Sequence, residues 1–305
     1  MFIIISNQIM KMFLILILGF FCYRIKLIDH QGNKTLSNLL LMVVNPLLIF
    51  DSFLQEFTPE IFQGFLIAIF LGFLSHFVGI AAGRLFFSKK ISPDYNVEQF
   101  SCVYSNCGFM GIPLVNSIFG SQGVIYLTAY MLAFNVLSWT HGLFLITGNA
   151  SPKQMKKGLT SPAMIGTLMG LVLFLTQLKL PSLISDTIDY ITAMNTPMAM
   201  MIAGISLAET DFLGALKNRR LYLVSAVKLL LLPLIMLGIF SLLPVDSTVL
   251  CTILIATACP AATTCTMFAL RYNANYRYAS EIFAFSTVLS LATIPAMVSL
   301  AERLL

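Results

Sequence analysis

The sequence predicts an all-α polytopic membrane protein of ten transmembrane helices, on three observations. Hydrophobic residues fill 58% of the 305 positions and charged residues only 10%, against about 45–50% and about 25% in soluble domains. The few charges leave stretches of membrane-spanning length between them. The basic residues, finally, recur in alternate gaps between those stretches. The formal charge of +5, from 18 Lys and Arg against 13 Asp and Glu, is too sparse to coat a nucleic acid, and none is expected as a partner.

No Asp, Glu, Lys or Arg falls within 61–83, 99–152, 158–178, 190–208, 247–270 or 282–301. A charge in hydrocarbon is costly, and a span needs about 20 residues. The first predicted span, 2–23, carries Lys11; it has the charge and apolar run of a signal peptide but no small-residue cleavage pattern, so it reads as a retained helix. The second, 35–54, holds Asp51 near its outer end. The third is 61–87. The stretch 99–152 is long enough for two spans, 98–119 and 123–147, with Gly120, Ser121, Gln122 and Gly123 as the turn between them. The sixth to tenth spans are 160–178, 184–208, 219–243 with Lys228 inside it, 247–270 and 278–302. No loop is long enough for a soluble domain.

Fourteen of the eighteen basic residues sit in the odd-numbered loops: Arg24, Lys26 and Lys34; Arg84, Lys89 and Lys90; Lys153, Lys156 and Lys157; Lys217, Arg219 and Arg220; Arg271 and Arg277. One missed or invented helix would destroy that alternation. By the positive-inside rule the odd loops are cytoplasmic and both termini face outward, in a multi-pass protein of the cell membrane. Five spans (1–147), a basic linker (148–158) and five more (159–305) form an inverted repeat, because an odd number of spans reverses the second half.

Matching positions of the two halves carry matching breakers. The second span has Asn45-Pro46 and the seventh Asn195-Thr196-Pro197. The fourth has Asn106-Cys107-Gly108-Phe109-Met110-Gly111-Ile112-Pro113, and the ninth Cys259-Pro260-Ala261-Ala262-Thr263-Thr264. Proline removes a backbone donor and glycine loosens the helix, so the fourth and ninth spans are predicted to break near mid-membrane. The half-helix beyond each break starts with unpaired N–H groups and a partial positive charge, suited to an anion. Paired breaks are a sequence pointer to a transporter's substrate site. Pro59, Pro233 and Pro295 read as kinks or end markers.

At these residues the whole chain resembles the auxin efflux carrier family, which includes plant PIN auxin carriers and bacterial malate and malonate permease-like proteins. The most specific element is Asn106 seven residues before Pro113, in Asn106-x-x-x-Met110-Gly111-Ile112-Pro113-Leu114. Pro46-Leu47-Leu48, Met198-Ala199-Met200 through Gly204, Pro260 with Phe268-Ala269 and Tyr272-Asn273, and Pro295 support it. The resemblance implies a bile-acid-symporter-like, NhaA-like fold in which the fourth and ninth helices cross. Helices 1, 2, 6 and 7 would form a scaffold, helices 3–5 and 8–10 an elevator-type transport domain, and the protein a homodimer. It carries the family's crossover asparagine to Asn106 and its crossover proline to Pro260. Ala261-Ala262-Thr263-Thr264 replaces a Gln-Gly-containing stretch of the plant carriers, and the long plant central loop is missing. The resemblance therefore implies a small organic acid of the permease type rather than auxin itself, a carboxylate such as malate, malonate or an auxin-like acid.

The candidate substrate residues are Asn106, Gly108, Gly111, Pro113, Pro260, Ala261, Thr263, Thr264, Asn45 and Asn195. Each polar one has a structural alternative: Asn106 bonding a freed carbonyl, the threonines bonding back to their own helix, Asn45 and Asn195 gluing helices together. Lys228 either balances an anionic substrate, pairs with Glu281 or snorkels to the surface. His76 and His141 titrate most easily near neutrality and could couple protons, or be satisfied core histidines. Trp139, Tyr126 and Tyr130 read as interfacial anchors, and the six cysteines as packing residues with no disulfide or metal pattern. No cofactor is implied; H⁺ or Na⁺ could drive transport. The expected activity is secondary or facilitative transport of small organic anions. The alternatives are a sodium-coupled acid symporter of the bile-acid type, or a channel or sensor. An enzyme is disfavoured because no catalytic or nucleotide-binding motif lies in the chain.

Overall fold

The computed structural model describes residues 2–148, 156, 160–210 and 216–305, with side chains from residue 7 onward. The linker 148–158, with Lys153 and Lys157, thus falls almost wholly outside the described residues. Every regular element among them is a helix. In chain order these are α1 (Phe2–Arg24), α2 (His30–Ser52), α3 (Pro59–Phe86), α4 (Tyr95–Val103), α5 (Cys107–Thr147), α6 (Pro162–Thr176), α7 (Ser182–Glu209), α8 (Arg219–Phe240), α9 (Ser247–Ala258), α10 (Thr263–Arg271) and α11 (Tyr276–Leu304). Among the described residues, seven stretches are long and apolar enough to cross a bilayer: most of α1, then α2, α3, α5, α7, α8 and α11. The apolar helices α6 and α9 are shorter.

Helix starts follow local capping chemistry. Asp29 accepts the Gly32 N–H at 2.7 Å ahead of α2, and Asp246 accepts the Thr248 N–H at 2.9 Å ahead of α9. Thr58 caps α3 with Pro59 in its first turn, so Pro59 marks a start rather than a kink. Gly120, with φ 60° and ψ −153°, divides α5 into arms 107–119 and 121–147. The predicted four-residue turn contracts to that one glycine, because its left-handed φ reverses the chain without a loop.

Three prolines act in one way that the sequence reading did not specify. Pro46, Pro113 and Pro233 each follow a π-helical turn, at Leu40–Val44, Cys107–Gly111 and Val227–Leu231. A proline cannot bond the carbonyl four residues back, and the residue before it reaches five back instead. Asn45 N–H bonds the Leu40 carbonyl, Ile112 that of Cys107 and Leu232 that of Val227.

Close packing relies on glycine at two helix pairs. A Cβ on Gly204 of α7 would collide with the Leu16 carbonyl of α1, and one on Gly19 of α1 with the Met201 carbonyl of α7. Gly166 of α6 likewise faces the Pro46 carbonyl of α2. Backbones that approach this closely gain dispersion contacts unavailable to larger residues. Elsewhere α3 lies along α5, and α9 packs among α5, α3, α8 and α11. Tyr126 and Tyr130 sit inside this packing, 2% and 1% exposed, and are core residues rather than interfacial anchors. Their hydroxyls find partners within it, Gln122 and Ser105. All six cysteines are free and buried.

Candidate functional site

The predicted breaks in the fourth and ninth spans are present, and they meet. Helix α4 stops at Val103 and the next helical turn starts at Cys107; α9 stops at Ala258 and α10 starts at Thr263. The two interruptions run antiparallel, with Ser105 opposite Ala261. Asn106 N–H donates to the Pro260 carbonyl at 2.8 Å, and Ala262 N–H to the Tyr104 carbonyl at 2.9 Å. From α11, Ser286 Oγ accepts the Ala261 N–H at 3.1 Å. Each broken segment thereby satisfies backbone groups freed in the other, as buried backbone requires. Neither Asn106 nor Ala262 supplies a side-chain cap to the helix it precedes.

Asn106 is 3% exposed and its Nδ2 has no hydrogen-bond partner among the described residues. The Pro260 and Tyr104 carbonyls at the crossing accept from backbone donors, the Asn106 and Ala262 N–H groups, and not from this side chain. Asn195 Nδ2 donates to Asn45 Oδ1, joining α7 to α2, while Asn195 Oδ1 remains buried and unpartnered. A Cβ on Gly108 would lie 3.9 Å from Asn45 Nδ2, so the asparagine pair faces the first turn after the α4 break. Gly111 faces Cys259 of the opposite break, where a Cβ would come within 3.6 Å of its Sγ. Pro113 closes the π turn on this side. Pro260 and Ala261 form the other strand of the crossing, and Thr263 and Thr264 open α10, half-buried.

Behind the crossing lies a polar group that the sequence reading only partly found. Lys228 Nζ donates to Ser105 Oγ at 2.5 Å, and Ser105 Oγ lies 3.2 Å from Tyr130 OH and 3.4 Å from the Thr257 carbonyl. The His76 ring packs on Tyr130 with centroids 4.7 Å apart, its Nδ1 2.7 Å from the Gly72 carbonyl. His141 Nδ1 is 3.0 Å from Tyr104 OH, and Tyr104 OH donates to the Leu137 carbonyl at 2.8 Å. Nothing in the sequence singles out Ser105, an ordinary hydroxyl next to Asn106, until α8 brings Lys228 against it.

Two of the roles expected of Lys228 do not hold. It does not snorkel, being 1% exposed. Nor does it pair with Glu281, whose Oε1 lies 3.4 Å from Arg277 Nε one helical turn away. Glu281 belongs instead to a separate cavity of about 280 Å³, lined also by Asp94, Glu98, Asn218, Arg220 and Tyr278. There Glu98, wholly buried, accepts Arg220 Nε at 2.9 Å and Nη2 at 2.5 Å, and Tyr278 OH at 3.0 Å. This triad ties α4 to α8 and α11; its sequence signal was the acid bounding the longest uncharged stretch. Asp51 lines a second cavity, of about 180 Å³, with Asn116, Ser121 and Asp189.

Fold and crossing together define a multi-pass helical membrane protein organised around two broken helices. The model of a family described as membrane transport protein matches residues 4–298, and the chain belongs to that family, the auxin efflux carrier group of transporters. It is 23% identical over 298 residues to an uncharacterized transporter of Methanothermobacter thermautotrophicus, covering 95% of this chain and 96% of that one. It is 22% identical to the uncharacterized transporter YfdV of Escherichia coli (strain K12), covering 95% of both. A third relative, the uncharacterized transporter MJ1031 of Methanocaldococcus jannaschii, is 23% identical over 66% of this chain and 68% of that one.

Proposed function

We propose that the protein carries small organic anions of the carboxylate class by elevator-type alternating access, with the crossing as its binding centre. The observation that carries this reading is the Asn106 amide, buried and unpartnered beside two uncapped half-helix starts. A buried donor without an acceptor is costly, and a carboxylate oxygen would supply one. The positive ends of the helices starting at Cys107 and Thr263 favour the same charge.

The architecture assigned with this reading is ten spans in two inverted five-helix repeats, 1–147 and 159–305. The arms of α5 count separately, α4 joins arm 107–119, and α9 joins α10. The basic loops are cytoplasmic and both termini outside. Helices α1, α2, α6 and α7 form the scaffold, consistent with their glycine-mediated packing on one another. The remaining helices move as the transport domain, and Asn45 and Asn195 meet the substrate from the scaffold side. An inner-negative potential favours anion export by about 2.3 kcal/mol per charge per 100 mV, so uptake requires a co-transported cation or an exchanged anion.

Proteoliposomes loaded with radiolabelled malate or malonate test this. Wild-type protein gives saturable, counterflow-competent flux, and Asn106→Ala abolishes it while remaining monodisperse. Flux undiminished in Asn106→Ala sinks the site assignment. Flux without saturation or counterflow indicates a channel, and replacing sodium by choline separates a sodium symporter from a sodium-independent carrier.

A further inference from the structure

Lys228 sits in the interior with a hydrogen-bond acceptor but, among the described residues, no counter-ion. Its one hydrogen bond among the described residues goes to Ser105 Oγ. The titratable groups around its ammonium among the described residues are His76, Cys102, Cys107, Cys259 and, through Ser105, Tyr130, none a carboxylate. The Thr257 carbonyl, reached through Ser105, and the C-terminal ends of α4 and α9 bring only partial negative charge. A buried charge is normally paired, and this one is not.

Its placement says what could complete it. Ser105 and Asn106 are neighbours in the α4 break, and Asn106 turns out of the extended run with φ −76° and ψ 53°. Lys228 holds Ser105 on one side of the crossing, and the unpartnered Asn106 amide occupies the next position. We propose that Lys228 is the fixed counter-charge for the transported anion, kept without an acidic partner so that the crossing holds a net positive charge until an anionic group docks at Asn106. This rests on the organic-anion reading above. If the docked anion sits about 7 Å from the ammonium, a unit charge at an effective dielectric of about 20 changes its affinity by roughly 50-fold.

The test uses the full-length protein in detergent without sodium, with thermal unfolding read against malonate, and against malonamide as the uncharged analogue at matched ionic strength. Wild type is expected to gain stability with malonate and not with malonamide. Lys228→Met should lose the malonate response, weakening apparent affinity by at least tenfold, while its ligand-free Tm stays level or rises, because an apolar isostere replaces an unpaired charge. Lys228→Arg should retain part of the response. A merely structural lysine would lower the ligand-free Tm and leave the malonate shift in place. An unchanged malonate shift in Lys228→Met overturns the proposal, as does failure of that variant to fold. A wild type that responds to none of malonate, malate and acetate instead defeats the organic-anion reading itself, and the counter-ion role falls with it.

Discussion

Substituting Arg220 by methionine strands the Glu98 carboxylate. Glu98 is fully buried and Arg220 27% exposed on their side chains. The pair is bidentate, and Arg220 also lies over the Phe87 ring at 5.7 Å. Breaking a buried pair by removing one partner costs about 3–5 kcal/mol. The Tyr278 hydroxyl still donates to Glu98, which places the loss near the lower figure, at about 3 kcal/mol. At about 2–4 °C per kcal/mol for chains of 150–250 residues, less for longer ones, Tm should fall by about 6 °C. The assay is fluorescence-monitored unfolding at one fixed scan rate, since membrane proteins often unfold irreversibly. Glu98→Gln should cost less, because the amide oxygen still accepts from Tyr278 and the half-exposed guanidinium can hydrate. The double variant should be less destabilised than the sum of the singles by at least about 1 kcal/mol. An Arg220→Met protein within 2 °C of wild type, or strictly additive variants, would refute the assignment of this triad as the tie between α4, α8 and α11.

Gly204→Leu should force α1 from α7 and lower Tm by about 5 °C or more, by the cost of overpacking a close interface, whereas Gly238→Ala, where a Cβ meets nothing within 4 Å, should raise Tm slightly through helix propensity. Equal effects at the two sites in the same unfolding assay would contradict the close approach. Asn45→Leu should cost about 1–3 kcal/mol by orphaning the Asn195 amide, and Asn45→Leu with Asn195→Leu should recover part of it; a double variant worse than either single denies the pairing. Asn106→Ala should leave ligand-free stability within about 1 kcal/mol of wild type, because it deletes a donor that has no partner. A large Tm loss there would mean the amide supports the crossing after all.

What the sequence made legible was what free energy in hydrocarbon forces into composition. Charges are excluded from spans, so gaps between them located the helices to within a few residues; the second span starts at His30 rather than near 35 because Asp29 caps it. Breakers are tolerated only where backbone can be satisfied, so Asn106 to Pro113 and Cys259 to Thr264 mark the two breaks in the sequence, while their crossing is an implication of the family resemblance alone. The pairing itself was not legible: nothing in a run of small residues says that Asn106 N–H finds the Pro260 carbonyl. The same limit hid Ser105, an ordinary hydroxyl in sequence that becomes the contact of a buried ammonium only when α8 is laid beside the breaks.

Lys228 and Glu98 show why a rare intramembrane charge does not declare its role by rarity. Both are buried, and each alone would be among the costliest residues in the chain. Glu98 finds two donors from helices far away in sequence, Arg220 and Tyr278, and its charge is spent within the fold. Lys228 finds a serine, two helix ends and three thiols, none of which carries a full negative charge. The distinction is one of partner supply, visible only in three dimensions. It separates a charge that ties helices together from a charge that the fold leaves unanswered beside an equally unanswered asparagine. An anionic ligand docked at the crossing, as proposed above, would supply both the missing charge and the missing acceptor.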